Sequence, residues 1–178
     1  MRINLPHVEQ CGILRELAAM KRPPIVAIIG HVDHGKTTLL DYIRKTNVVA
    51  GEAGGITQAT HAYAVMYDGH PLTFIDTPGH EAFGAMRERG ARVADIAVLV
   101  VASTDGVEDQ TKESIRVLEE TKTPFVVALT KTDMNAPLDK VKNDLMQAGV
   151  LLEGYGGSVS FTGISAKTGD GVNDLLDL

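Results

Sequence analysis

Eight consecutive residues, Gly30-His31-Val32-Asp33-His34-Gly35-Lys36-Thr37, constrain this 178-residue chain more than any other stretch. They fit the pattern G-x-x-x-x-G-K-[ST]. Residues 25–29 before them are apolar and of strand length, and Leu39, Leu40 and Ile43 after them repeat at helical spacing. The context is therefore strand, glycine loop, helix. A helix N-terminus presents unpaired backbone N–H groups and a partial positive charge, which suits phosphate. Gly30 and Gly35 let the backbone turn tightly around phosphate oxygens. Lys36 is expected to reach the β and γ phosphates, and the Thr37 hydroxyl to ligate Mg²⁺. His31, Val32, Asp33 and His34 in the loop, and Thr38 in the same helical turn as Thr37, are counted with the nucleotide-binding residues.

The chain is long enough for one domain with a proper core. Its apolar content of 44% and charged content of 22% are those of a soluble globular protein. No apolar run approaches membrane-spanning length, so no membrane partner is expected. The N-terminus lacks a signal-peptide apolar block, and Glu9 and Glu16 argue against a transit peptide. The single cysteine, Cys11, excludes an internal disulfide framework and fits a reducing compartment. A net charge of −6 argues against wide, non-specific nucleic-acid binding. It leaves room for a nucleotide site, where Mg²⁺ and local N–H groups supply positive potential.

Residues 1–22 read as a leader or linker, in part helical through Val8, Ile13, Leu14 and Leu17, and ended by Pro23-Pro24. Residues 23–178 alternate strands and helices. Ala62–Tyr67 and 72–75 form an expected hairpin through the turn Asp68-Gly69. Ile96–Ala102 and 125–129 are apolar throughout, as strands buried on both faces are. Helices are expected at 108–121, at 138–148 and from 172 to the end, with a last strand at 159–165. The order implies an α/β fold of the phosphate-loop NTPase class: a doubly wound, mainly parallel sheet of about six strands with helices on both faces. The last helix stops at Leu178 inside its apolar pattern and reads as truncated.

Three later motifs choose the ligand. Asp76-Thr77-Pro78-Gly79-His80 follows a strand; an acidic residue there can hold Mg²⁺ through water, and Gly79 lets its N–H approach a γ-phosphate. Thr130-Lys131-Thr132-Asp133 follows another strand and departs in one place from the Asn-Lys-x-Asp pattern of guanine-binding proteins. A carboxylate at Asp133 accepts from guanine N1 and N2, which adenine does not offer, and an unpaired partner costs roughly 1–3 kcal/mol. The Lys131 stem can lie over the base. Ser165-Ala166-Lys167 follows the last strand, and a backbone N–H there can meet guanine O6. A further loop, Ala53-Gly54-Gly55-Ile56-Thr57-Gln58, can bring Thr57 over Mg²⁺ and the γ-phosphate.

On these residues the chain resembles the translational GTPases, and most closely the G domain of the bacterial translation initiation factor two family. The matching stretches are 30–40, 51–58, 76–92, 95–106 and 165–169, spread over residues 23–178. The Gly54-Gly55-Ile56-Thr57-Gln58 form of the loop resembles the initiation factors rather than the elongation factors. The resemblance implies GTP and GDP as ligands, Mg²⁺ held by Thr37, Thr57 and Asp76, and a ribosome-stimulated GTPase. It implies that His80 positions the attacking water, with Lys36, Thr57 and Gly79 as the other catalytic residues. Val32 and Ile56 would flank His80 as an apolar gate, and Asp33 would help bind a monovalent cation. The implied partner is the ribosome, through large-subunit RNA near the GTPase site. Initiator tRNA would be met only through domains that follow Leu178. The implied state is a monomer in the bacterial cytoplasm, with a mitochondrial matrix protein the weaker alternative.

Thr130 stands where the family pattern has Asn, so guanine affinity is expected to be lower, while the choice of guanine rests with Asp133. His31, Asp33 and His34 are too close along one loop to converge on zinc. Arg87, Arg89 and Arg92 form a small basic patch, read as a solvated helix face with contact to ribosomal RNA as the alternative. Two other functions compete with the GTPase switch. A binding module would hold GTP or GDP without useful turnover. A phosphate-loop kinase or ATPase is disfavoured by Asp133.

Overall fold

The computed structural model describes residues 22–47, 62–77 and 84–178. The leader up to residue 21, the loop containing Thr57, and the Pro78-Gly79-His80 part of the motif that begins at Asp76 lie outside the described residues.

Strand β1 (Ile25–Gly30) leads through the glycine loop to helix α1 (Lys36–Asn47). Strands β2 (Ala62–Tyr67) and β3 (His70–Asp76) follow, then α2 (Gly84–Val93), β4 (Ile96–Ala102), α3 (Asp109–Thr121) and β5 (Phe125–Thr130). A short 3₁₀ turn (Thr132–Met134), α4 (Leu138–Gln147), β6 (Phe161–Gly163) and α5 (Val172–Asp177) complete the order. The six strands form one sheet in the order β2-β3-β1-β4-β5-β6. Only β2 and β3 pair antiparallel, as a hairpin; the remaining pairs are parallel. This is the doubly wound sheet the sequence pattern implies.

The apolar strands are explained by burial on both faces. Val26, Ile28, Val98, Val100, Val126 and Ala128 point to one side, where Leu39, Leu40 and Ile43 of α1 and Val172 and Leu175 of α5 cover them. Their neighbours Ala27, Ile29, Ala97, Leu99, Val101, Val127 and Leu129 point to the other, against Ala91 of α2, Ile115 and Leu118 of α3, and Val141 and Leu145 of α4. Side chains alternate between faces along a strand, so a sheet covered twice needs an apolar residue at every position.

Element ends differ from expectation for local reasons. The helix expected at 108–121 begins at Asp109, because Glu108 has extended backbone and its N–H meets Thr111 Oγ1. The helix expected to Ala148 ends at Gln147, with Ala148 as its C-cap. The last strand is shorter than 159–165. Val159 is drawn off to a bridge with Leu152, and the Ser165 N–H turns away to the Asp170 carbonyl.

In a parallel sheet the loops after all the strands open at one edge. Here β1 is followed by α1 on one face of the sheet, and β3 by α2 on the other. Adjacent strands whose loops part to opposite faces leave a crevice, the usual ligand position in such sheets.

Candidate functional site

The glycine loop bends where only glycine fits. Gly30 has φ of 155°, and a Cβ there would strike the Val100 carbonyl of β4. Gly35 sits at φ 88° and hands the chain into α1, whose first backbone bond runs from the Leu39 N–H to the Gly35 carbonyl. The N–H groups ahead of Leu39 therefore have no partner within the helix. Thr37 and Thr38 are exposed in that first turn.

Lys36 is buried along its stem, and its ammonium turns back over the loop to donate to the Gly30 carbonyl at 2.9 Å and to the His31 carbonyl. The positive charge thus lies at the centre of the loop. Three neighbours anchor the backbone around it. Thr77 Oγ1 donates to the Ile28 carbonyl at 2.6 Å. The Val32 N–H donates to Gln110 Oε1 of α3 at 3.1 Å. Thr130 Oγ1 donates to the His34 carbonyl at 2.6 Å. Asp33 is exposed at φ 59°, in the left-handed region that aspartate tolerates.

His34 is 1% exposed, and among the described residues neither ring nitrogen has a hydrogen-bond partner of good geometry. Burial first, and the His31 ring 4.9 Å away second, push its pKa down to about 4, against a weaker upward pull from the Val100 backbone and Asp105. The imidazole is therefore neutral at pH 7.

Asp76 closes β3 beside the loop, its Cα in register with Ile28 of β1. Its carboxylate and the Thr37 hydroxyl are the described oxygen donors assigned to Mg²⁺, and hard oxygen donors suit that ion. Thr57, Gly79, His80 and Ile56 lie outside the described residues, and the structure says nothing of their place.

The segments 130–133 and 165–167 meet at the other end of the same edge. Thr130 ends β5, and Lys131 follows at φ 60°. Lys131 Nζ pairs with Asp105 Oδ2 at 3.0 Å, and this bond holds the Asp105 carboxyl below its ordinary range. The turn is fixed from β4's loop: the Ser103 N–H donates to the Thr130 carbonyl and Ser103 Oγ to the Lys131 carbonyl. Asp133 is exposed and accepts at Oδ1 from Ser165 Oγ at 2.8 Å. The Thr168 N–H donates to the same Ser165 hydroxyl, and the Gly169 N–H to the Ser165 carbonyl. Ala166 is half-buried and Lys167 exposed in the loop so formed.

The described site residues are therefore gathered along one edge from four separate loops. Sequence reading assigned no role to Ser103, Asp105 or Gln110. Their only signal is position: all three follow the apolar strand Ile96–Ala102, which ends at the same edge. Arg89 and Arg92 lie on α2, where Arg92 pairs with Glu88 at 2.8 Å one helical turn away. That pairing favours the solvated-face reading of the basic patch. Among the described residues no group of three or more His, Cys, Asp or Glu side chains is placed to hold a metal ion, and no helix is long and apolar enough to cross a membrane.

The family profile described as the elongation factor Tu GTP binding domain matches residues 21–178. The chain is 57% identical over 159 residues to translation initiation factor IF-2 of Francisella tularensis, covering 89% of this chain and 19% of that protein. It is 55% identical to the IF-2 of Rubrobacter xylanophilus, over 89% of this chain and 23% of that one. The chain thus spans about a fifth of the length of the curated relatives it matches. Among solved structures, elongation factor SelB of Methanococcus maripaludis in complex with the GTP analogue GppNHp superposes with a TM-score of 0.70 at 30% identity, over 88% of this chain and 32% of that one. GDP-bound aIF5B of Aeropyrum pernix gives 0.63 at 36% identity, over 87% and 34%.

Proposed function

Because the chain belongs to the family of elongation factor Tu-type GTP-binding domains, we propose that it is the guanine-nucleotide switch of a translation initiation factor, binding GTP with Mg²⁺ and hydrolysing it on the ribosome. The observation that carries the reading is the brace between Ser165 and Asp133. A lone surface carboxylate is mobile; one that accepts from a fixed hydroxyl at 2.8 Å can present its other oxygen to a base.

The remaining roles follow from the same edge. N–H groups of the glycine loop and the first turn of α1 wrap the phosphates, and Lys36 exchanges two carbonyl partners for phosphate oxygens. Charge-assisted bonds to phosphate are the stronger ones, so the exchange is favourable. Thr37, Asp76 and Thr57 hold Mg²⁺, which neutralises phosphate charge when bound. Asp33, exposed at the loop tip, contributes to a monovalent-cation site. Lys131 lies along the base face, and the loop from Ser165 through Lys167 meets guanine O6. His80 orients the attacking water between Val32 and Ile56, with Gly79 and Thr57 closing on the γ-phosphate. Turnover stays slow until large-subunit RNA engages this edge. Initiator tRNA is handled by parts of a longer protein, and the monomer works in the bacterial cytoplasm.

Calorimetric titration with GDP, GTP and ATP tests the reading directly. Guanine nucleotides are expected to bind and ATP not to compete. Equal competition by ATP would reject the assignment of Asp133 as base reader. Phosphate release that stays unchanged on adding ribosomes, measured on the longer protein, would leave a binding module instead of a timed hydrolase.

A further inference from the structure

Thr130 has its one proton committed. The residue is 2% exposed, and Oγ1 sits 2.6 Å from the His34 carbonyl oxygen, with the Val101 carbonyl farther away at 3.5 Å. A hydroxyl donates once. Both of these neighbours are acceptors, so the proton goes to the nearer one and secures the glycine loop. Two nearby backbone donors are committed as well: the Ser103 N–H to the Thr130 carbonyl, and the Thr132 N–H to the Ile164 carbonyl.

Resting on the guanine reading above, the consequence can be followed around the purine. If N1 and N2 meet Asp133 and O6 meets the loop after Ser165, the next polar atom on the ring is N7. N7 is an acceptor and requires a donor. It turns back toward the end of β5, where Thr130 lies between the glycine loop and Lys131. We propose that this site selects guanine without a side-chain donor to N7, so that it accepts 7-deazaguanine nucleotides as readily as guanine nucleotides. An asparagine amide in the same place carries two N–H donors and can serve His34 and N7 together. Threonine makes the chain a reader of the Watson–Crick edge alone.

The test compares dissociation constants for GDP, ADP and 7-deaza-GDP, in which carbon replaces N7, by calorimetry on the wild-type chain and on Thr130→Asn. The wild type is expected to bind 7-deaza-GDP within about threefold of GDP, and a larger loss overturns the proposal. In Thr130→Asn, GDP is expected to gain up to about tenfold over 7-deaza-GDP, the value of one recovered hydrogen bond. An unchanged ratio in that variant overturns the role given to Thr130. Should the variant not fold, the wild-type ratio decides alone. GDP binding no tighter than ADP would bring down the base-site reading itself, visible before any ratio with the deaza compound is formed.

Discussion

Ser165 and Asp133 are thirty-two residues apart in the chain, and the hydroxyl of one donates to the carboxylate of the other across 2.8 Å. The same hydroxyl accepts from the Thr168 N–H at 3.2 Å. It therefore ties the loop after β6 to the turn after β5. Removing it in Ser165→Ala frees Asp133 and leaves the Thr168 N–H without its acceptor. Weaker GDP binding is expected, by roughly 0.5–1.5 kcal/mol, or about two- to tenfold. The GDP:IDP affinity ratio should shrink as well, because inosine lacks only the N2 amine that Asp133 reads. Calorimetry with both nucleotides gives the answer; an unchanged ratio would confine Ser165 to a purely structural role.

Asp133→Asn addresses the base more directly. An amide can donate to the 2-oxo group of xanthine, which a carboxylate repels. Preference is expected to move from GDP toward XDP. A variant that still strongly prefers GDP would mean another group reads the Watson–Crick edge.

Lys36→Ala removes the side-chain cation that donates to the carbonyls of Gly30 and His31. Charged hydrogen bonds of this kind contribute about 1.5–3 kcal/mol, so GDP affinity should fall by on the order of ten- to a hundredfold. Undiminished GDP binding in the variant would reject the phosphate site.

His34 predicts a pH dependence of stability. Its folded pKa is about 4, below the 6.5 of a free histidine, because it is buried beside His31. Lys36 and Asp105 are the other charged groups acting on it. A depressed histidine pKa means the unfolded chain takes up a proton that the folded chain refuses. Stability is therefore whole above about pH 6.5 and declines as the pH falls toward 4, by at most about 3 kcal/mol. Urea midpoints at pH 7, 6 and 5 should fall for the wild type and fall less for His34→Gln. The range above pH 5 keeps the titration of Asp105, whose carboxyl is held low by Lys131, out of the comparison. Parallel curves for the two proteins would exclude His34 as the source.

His80→Ala, made in the longer protein, is expected to bind GTP almost normally and to lose ribosome-stimulated hydrolysis. The motive is its place directly after Gly79 in the motif that follows β3. Stimulated phosphate release at the wild-type rate would remove His80 from the mechanism.

Much of the fold was legible locally, for a physical reason. Ile96–Ala102 and Phe125–Thr130 are apolar at nearly every position because helices cover both faces of the sheet, and such runs announce buried strands without reference to the rest of the chain. The glycine loop is equally local: its turns are made by Gly30 and Gly35 within the segment itself. Loop position after each strand also followed, since parallel strands put all such loops at one edge. Partner choice did not follow. The sequence alone names Thr130, but whether its single proton serves a base or the His34 carbonyl depends on how far the end of β5 reaches beside the glycine loop. That distance is decided by β4, which lies between β1 and β5 and sets the register of both: Gly30 opposite Val100, and Ala102 opposite Thr130. Gln110 against Val32 and Lys131 against Asp105 are of the same kind, joining residues 78 and 26 positions apart. A hydroxyl or amide bonds to whatever packing brings within about 3 Å, and no periodicity in the chain encodes that neighbour.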